Sequence, residues 1–333
     1  MRSCNELESF AYSYTGGDPI EVNLSNQASL NQLSLTAPVQ FASNHGSMRN
    51  IRSIRMEFPA LNGYFQCLDL CPSVEDVQFV FPKTIDFRPS ISEPMRILPS
   101  IITLSLTSAS VFEYEESFDF GLFMDRFQLP RLRELDIHSS LWTDDLPSWS
   151  HASALLKRSN ARLESFTVMN MLHGSDFREC LRQSPSLKML SLGSHLIAKV
   201  TIDTLTRRSI ARQPFACPQL QHVELCGFSP RAYRKIAELV LRRWHSDPSL
   251  PIPSRIRRVV LRVSNEDQVK PFLHLPGIDL CILDGLLVIW QDDDFHCTVY
   301  PYDHSIFLPP ERGNLSHNYS TPDKRRHDVV LGR

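Results

Sequence analysis

The chain has 333 residues, 42% of them hydrophobic and 22% charged, with a formal net charge of −2. That balance is ordinary for a soluble globular protein and supplies no chain-wide basic field, which argues against a nucleic-acid partner. Eight cysteines are scattered without paired spacing, and the start Met1-Arg2-Ser3-Cys4-Asn5-Glu6 lacks the apolar core of a secretory signal, so a reducing compartment, the cytoplasm, is expected. The longest apolar stretch, Ile278 to Trp290, contains Asp279 and Asp284 and is too short to cross a bilayer, so no membrane partner is expected.

One short pattern recurs along the chain: an apolar residue, two variable ones, a second apolar, one variable, a third apolar. The copies are Leu7/Phe10/Tyr12, Leu30/Leu33/Leu35, Ile51/Ile54/Met56, Val74/Val77/Phe79, Ile101/Leu104/Leu106, Leu132/Leu135/Ile137, Leu163/Phe166/Val168, Leu187/Leu190/Leu192, Leu220/Val223/Leu225 and Ile256/Val259/Leu261. Their first positions lie 21 to 36 residues apart, so insertions are absorbed outside the strands. The spacing puts the second and third apolar residues on one side of a short strand, the geometry with which a leucine-rich repeat lines a horseshoe. The fold class predicted is therefore α/β, a leucine-rich-repeat solenoid with irregular repeats over residues 1–290. A single repeat gains its burial, about 1.5–3 kcal/mol for each apolar side chain, only when a neighbour covers it. Ten strands stacked about 4.8 Å apart span on the order of 45 Å, a dimension that suits a protein better than a metabolite.

Between strands lie helix-period segments, as at Tyr64 to Cys71 and Phe177 to Ser184, each followed by Pro-Ser and the next strand. Proline at 72 and 185 stops the helix and pushes its preceding residue towards extended geometry, and Pro99, Pro130 and Pro218 repeat the device. Cys67 matches Cys180 in this alignment, which places both in the core on the helical side as small hydrophobes rather than metal ligands. The segment Val111 to Phe123, carrying Glu113, Glu115, Glu116 and Asp119, reads as an exposed insertion: a solvated loop, or an acidic contact for a basic partner. From Gln291 the pattern is lost, and residues 291–333 read as a largely disordered tail. The tail run Asp323-Lys324-Arg325-Arg326-His327 leaves a nuclear address open.

Phosphate loops, the His-Glu-x-x-His zinc signature and the Gly-x-Ser-x-Gly elbow are all missing from the sequence, so no catalytic, metal or cofactor residue is assigned and no enzyme is expected. Asp136, His138 and Ser139 do not form a catalytic group, because consecutive strand residues alternate faces. The triplets at Asn23, Asn314 and Asn318 match a glycosylation acceptor by chance. Outward positions of each strand are the third, fifth and seventh of the pattern, and they define a concave stripe. The candidate partner-binding residues on it are Arg55, Gln78, Thr103, Ser105, Glu134, Asp136, His138, Thr167, Ser191, His222, Glu224 and Arg258.

Four stretches carry a family resemblance: Leu129-Pro130-Arg131-Leu132-Arg133-Glu134-Leu135, Leu155 to Phe166, Ser184-Pro185-Ser186-Leu187-Lys188-Met189-Leu190, and Cys217-Pro218-Gln219-Leu220-Gln221-His222-Val223. Over residues 1–290 the chain resembles the repeat region of fungal F-box proteins. The resemblance implies a substrate-recognition surface of a ubiquitin ligase, with a protein substrate as partner. It departs from the family at both ends of the repeat. Leu7 already belongs to a strand, which leaves no F-box, so a Skp-type adaptor is expected only if such a segment precedes this sequence. The asparagine that usually follows the strand is replaced by Pro38, Pro59, Pro82, Ala109 and Ser140, so irregular turns are expected. A freestanding scaffold with no ubiquitin role is the alternative.

Overall fold

The computed structural model describes residues 8–13, 20–22, 29–36, 39–41, 47–58, 61–82, 95–108, 121–138, 150–169, 174–193, 199–206, 216–227, 229–244, 255–291 and 297–300. The first half contains β1 (Ser9–Tyr12), β2 (Ile20–Val22), β3 (Gln32–Leu35), β4 (Val39–Phe41), β5 (Ser53–Glu57), α1 (Leu61–Leu70), β6 (Asp76–Phe81), β7 (Arg96–Ile97), β8 (Thr103–Ser108), α2 (Gly121–Met124), β9 (Phe127–Gln128), β10 (Glu134–His138) and α3 (His151–Ser159). The second half contains β11 (Ser165–Met169), α4 (Gly174–Arg182), β12 (Met189–Gly193), α5 (Lys199–Thr206), β13 (His222–Cys226), α6 (Pro230–Trp244), β14 (Arg258–Arg262), α7 (Lys270–Leu273), α8 (Ile278–Leu283), β15 (Leu287–Gln291) and β16 (Cys297–Tyr300). One open sheet runs in the order β1-β3-β5-β6-β8-β10-β11-β12-β13-β14-β15-β16. Every neighbouring pair in it is parallel except the last, in which β16 runs antiparallel to β15. The result is an α/β architecture that stacks strand after strand in the manner of a solenoid. Two small parallel ladders, β2 with β4 and β7 with β9, lie outside the main sheet.

The strand phase follows the expected alternation. From β3 to β14 the second and third apolar residues of each copy, Leu33 and Leu35 through Val259 and Leu261, are at most 2% exposed. The backbone locks that phase from β3 to β14. The amides of Arg52 and Ser53 both donate to the Asn31 carbonyl at 2.8 and 3.1 Å, and those of Glu75 and Asp76 to Arg52 at 2.8 and 2.9 Å. The same forked bond recurs from Arg133 and Glu134 to Ile102, from Glu164 and Ser165 to Arg133, and from Arg257 and Arg258 to Gln221.

At the junction before the strand the proline also sits in a tight turn. The Val74 amide donates to Cys71, Leu132 to Leu129, Leu187 to Ser184 and Leu220 to Cys217, each at 3.1 to 3.2 Å. Each bond closes a four-residue turn with proline in its second position, where the ring's fixed φ is already the one required.

Helices cover one face of the sheet, and their buried side chains join the strand residues in a single core. On α6, Ala232, Tyr233, Ile236, Ala237, Leu239, Val240 and Trp244 form the apolar stripe. The Ser229 hydroxyl accepts from the Ala232 amide at 3.4 Å, and Pro230 opens the helix where its missing N–H is not needed. Cys67 and Cys180 are buried in this layer, as the repeat alignment requires. Tyr64 anchors the first half, packed among Phe58, Phe79, Phe81 and Phe123, with its hydroxyl 2.9 Å from the Phe58 amide and 2.6 Å from the Val80 carbonyl.

Arg243 lies fully buried near the end of α6. Its guanidinium donates to the carbonyls of Leu205 at 2.8 and 3.1 Å, Cys217 at 3.0 Å and Leu220 at 3.4 Å, and desolvation pulls its pKa down to about 10.

The sheet continues past the ten copies. β15 pairs with β14 in the same register, Val259 opposite Val288 and Leu261 opposite Trp290. The boundary expected at 290/291 therefore falls inside β15, and β16 extends the sheet to Tyr300. Residues 301–333, with the basic run at 324–326, lie outside the described residues, as do Leu7, Glu113, Glu115, Glu116, Asp119, Ser139 and the three glycosylation triplets. Of the post-strand positions, Pro82 is described, and Pro38, Pro59, Ala109 and Ser140 lie outside.

Candidate functional site

The face of the sheet opposite the helices is built from the odd positions of the pattern. Because the ladder keeps one register, these positions line up in rows across the strands. The middle row runs Ser34, Arg55, Gln78, Ser105, Asp136, Thr167, Ser191, Glu224, Val260 and Ile289. A second row, before it, runs Gln32, Ser53, Asp76, Thr103, Glu134, Ser165, Met189, His222, Arg258 and Leu287. The twelve residues expected on the binding stripe take the strand phase away from the apolar core, and one of them, Ser191, is itself buried there.

The structure sorts them into zones of charge. In the centre, Glu134 and Asp136 on β10 stand near Asp76 on β6. Thr167 hydrogen-bonds the Asp136 carboxylate, Thr103 Oγ1 donates to Glu134 at 3.5 Å, and Ser53 Oγ donates to Asp76 at 3.1 Å. Burial first, and then the neighbouring charges of Glu134, Asp76 and Glu224, push Asp136 up to about 6 against the pull of the Thr167 bond. Burial likewise raises Asp76, which its Ser53 bond partly offsets.

Towards β14 the sign changes. Arg262 pairs with Glu224, and in register His222 lies between Met189 and Arg258. The Cys226 thiol, beside Glu224 at 3.8 Å, is pushed up to about 12, chiefly by burial. On the other flank Arg55 stands next to Gln78 in register. Burial raises the pKa of Glu57, and Arg55 holds it down in part. His138 ends β10, opposite Thr107 and Met169.

Charges at the rim, one residue before each strand's first open-face position, behave differently. Arg52 pairs with Glu75 at 2.9 Å, and Glu164 takes Lys188 at 2.7 Å and Arg133 at 3.7 Å. These pairs are largely exposed and add little stability.

Sequence reasoning missed the open-face residues of β15, Leu287, Ile289 and Gln291. The first position of that copy is Gly285 in place of an apolar residue, and the run Leu286 to Trp290 is continuously apolar, so its period is hidden. Pairing with β14 was the signal that could have found it. Among the described residues no group of three or more His, Cys, Asp or Glu side chains is arranged to hold a metal ion, and no described helix is long and apolar enough to cross a membrane.

No family model matches the chain, and no curated protein matches it in sequence. Among solved structures, the chain is similar to a crystal structure of a Bacteroides fragilis protein, at 13% identity and a TM-score of 0.43, over 70% of this chain and 72% of that one.

Proposed function

We propose that the chain is a leucine-rich-repeat solenoid that binds another protein through the open, concave face of its sheet, without enzymatic chemistry, as the recognition region of an F-box substrate receptor does. One observation carries this reading. From β3 to β13 the sheet presents rows of mostly polar and charged side chains in a single register, on the face away from the apolar core, whereas Val260 and Ile289 in the same row on β14 and β15 are buried. A face of that kind offers many small contacts over a long surface, which suits a folded partner or an extended segment. The motif resemblance around Leu132, Leu163, Leu187 and Leu220 supports the repeat type and the receptor reading.

The test is site-specific photocrosslinking in cells that express the protein. Benzoylphenylalanine at Thr103, on the open face, is expected to capture a discrete protein that Ser105→Trp abolishes, whereas the same probe at Gln66, exposed on α1, captures none. Capture from Gln66 alone, or from neither position, would overturn the reading and leave a scaffold.

A further inference from the structure

Resting on the reading of the open face as a protein-binding surface, we propose that its centre takes a basic segment of the partner, with a lysine or arginine seated over Asp76, Glu134 and Asp136.

From β6 through β13 the open face carries Asp76, Glu134, Asp136 and Glu224 and no lysine or arginine. Other acids on this side of the sheet have cationic neighbours: Glu75 has Arg52, Glu164 has Lys188 and Arg133, and Glu224 has Arg262. Asp76, Glu134 and Asp136 are different. Among the described residues they take hydroxyl hydrogen bonds from Ser53, Thr103 and Thr167 and have no cationic partner. Three carboxylates brought together with only hydroxyls for company form a site of uncompensated negative potential, and partial burial strengthens it.

A second observation lies in the same middle row. Ser191 is 3% exposed, and its Oγ makes no hydrogen bond of normal geometry; the Cys226 thiol beside it is a weak partner. A buried hydroxyl left in that state, between Thr167 and Glu224, calls for a donor or acceptor from outside. The strip from Asp76 to Glu224 crosses six neighbouring strands, about 24 Å at ~4.8 Å per step, the length of roughly seven extended residues. Arg55 on one side and Arg258 with Arg262 on the other bound it with positive charge. The complementary occupant is therefore basic in its centre and not at its flanks. A nucleic acid is disfavoured, because its phosphates would meet the carboxylates.

The experiment measures binding of two fluorescein-labelled heptapeptides to the full chain at low ionic strength. One is Gly-Lys-Gly-Lys-Gly-Lys-Gly and the other its glutamate counterpart. The lysine peptide is expected to bind and the glutamate peptide to fail. The variant Glu134→Gln/Asp136→Asn should bind the lysine peptide at least tenfold more weakly, while the rim variant Glu75→Gln/Glu164→Gln, with the same change in net charge, stays within about twofold of the parent. Lowering the pH from 7.5 to 5 should also weaken binding. Asp136 then takes up a proton, facing Asp76, Glu134 and Glu224, with His138 on its own strand and only neutral side chains on the open faces of β8 and β11.

No binding of the lysine peptide, or equal loss in the rim variant, would overturn the proposal. Binding of the glutamate peptide, with amides of β8 and β10 protected from exchange, would overturn the basic occupant and leave the protein-binding face standing. Failure of both peptides together with loss of the Thr103 cross-link would remove both readings. Tighter peptide binding on deletion of residues 301–333 would assign the site to the chain's own Lys324-Arg325-Arg326, against an external partner.

Discussion

Asp136 is the residue at which electrostatics and fold conflict most openly. Its folded pKa, about 6, lies above the ordinary carboxylate value, so the folded state binds a proton more tightly than the unfolded chain does. Stability from that difference is fully present below the unfolded pKa, near 4, and is lost as pH rises through 6. Asp136→Asn removes the charge and keeps an acceptor for Thr167. It should therefore be more stable than the parent by on the order of 1–3 kcal/mol at pH 7.5, with the gap closing by pH 4. Urea titrations at the two pH values decide it, and a gap that is absent or widens at low pH would show that burial does not strain this carboxylate. Arg243 is the opposite case, a buried charge held by carbonyl groups. Replacing it with Met fills similar volume but leaves the carbonyls of Leu205, Cys217 and Leu220 without that donor. A loss of about 2–4 kcal/mol is expected in urea unfolding. A loss under about 0.5 kcal/mol would mean that the chain re-pairs these carbonyls itself.

Elements were legible in proportion to how strictly their residues obey a period. Leu135/Ile137 and Leu190/Leu192 alternate with polar neighbours, so both the strand and its buried face could be read, and with them the open face. The α1 and α4 segments were legible through their alignment and the proline after each. The turn itself was not, because a hydrogen bond from Leu187 back to Ser184 leaves no mark beyond the proline. β15 escaped because Gly285 breaks the motif and because Val288 and Ile289 are buried on opposite faces, which erases alternation. Its Leu286 amide donates to Cys281 at 2.8 Å, so the end of α8 replaces the forked bond of the other repeats. At the candidate site, membership of the face was legible and its charge zoning was not. Whether Glu134 stands near Asp76 depends on β6 and β10 flanking β8, and the sequence carries that only as an order of repeats. The pairing of Glu224 with Arg262 depends in the same way on β13 lying beside β14.

At the scale of the molecule, a sheet in which each strand pairs only with its neighbours has a stability set by local links. Leu135 is the test of that coupling. It is fully buried, opposite Leu104 on one side and Phe166 on the other. Leu135→Asp places a carboxylate there with no partner, a cost of several kcal/mol that one repeat cannot absorb. Nearest-neighbour stacking predicts that the damage spreads first to β8 and β11, since each relies on β10 for cover. The far unit has links of its own. There Trp244 donates to Asp284 at 2.8 Å, Arg255 reaches the same carboxylate at 3.2 Å, and Tyr233 packs edge-on against Phe272. Hydrogen exchange should therefore show amides of residues 103–108, 134–138 and 165–169 losing protection in the variant by at least a hundredfold. Those of 232–244 and 258–262 should change by less than about tenfold. An even loss across all these segments would show a single cooperative unit in place of a chain of linked repeats. An unchanged pattern would mean that Leu135 does not face the core.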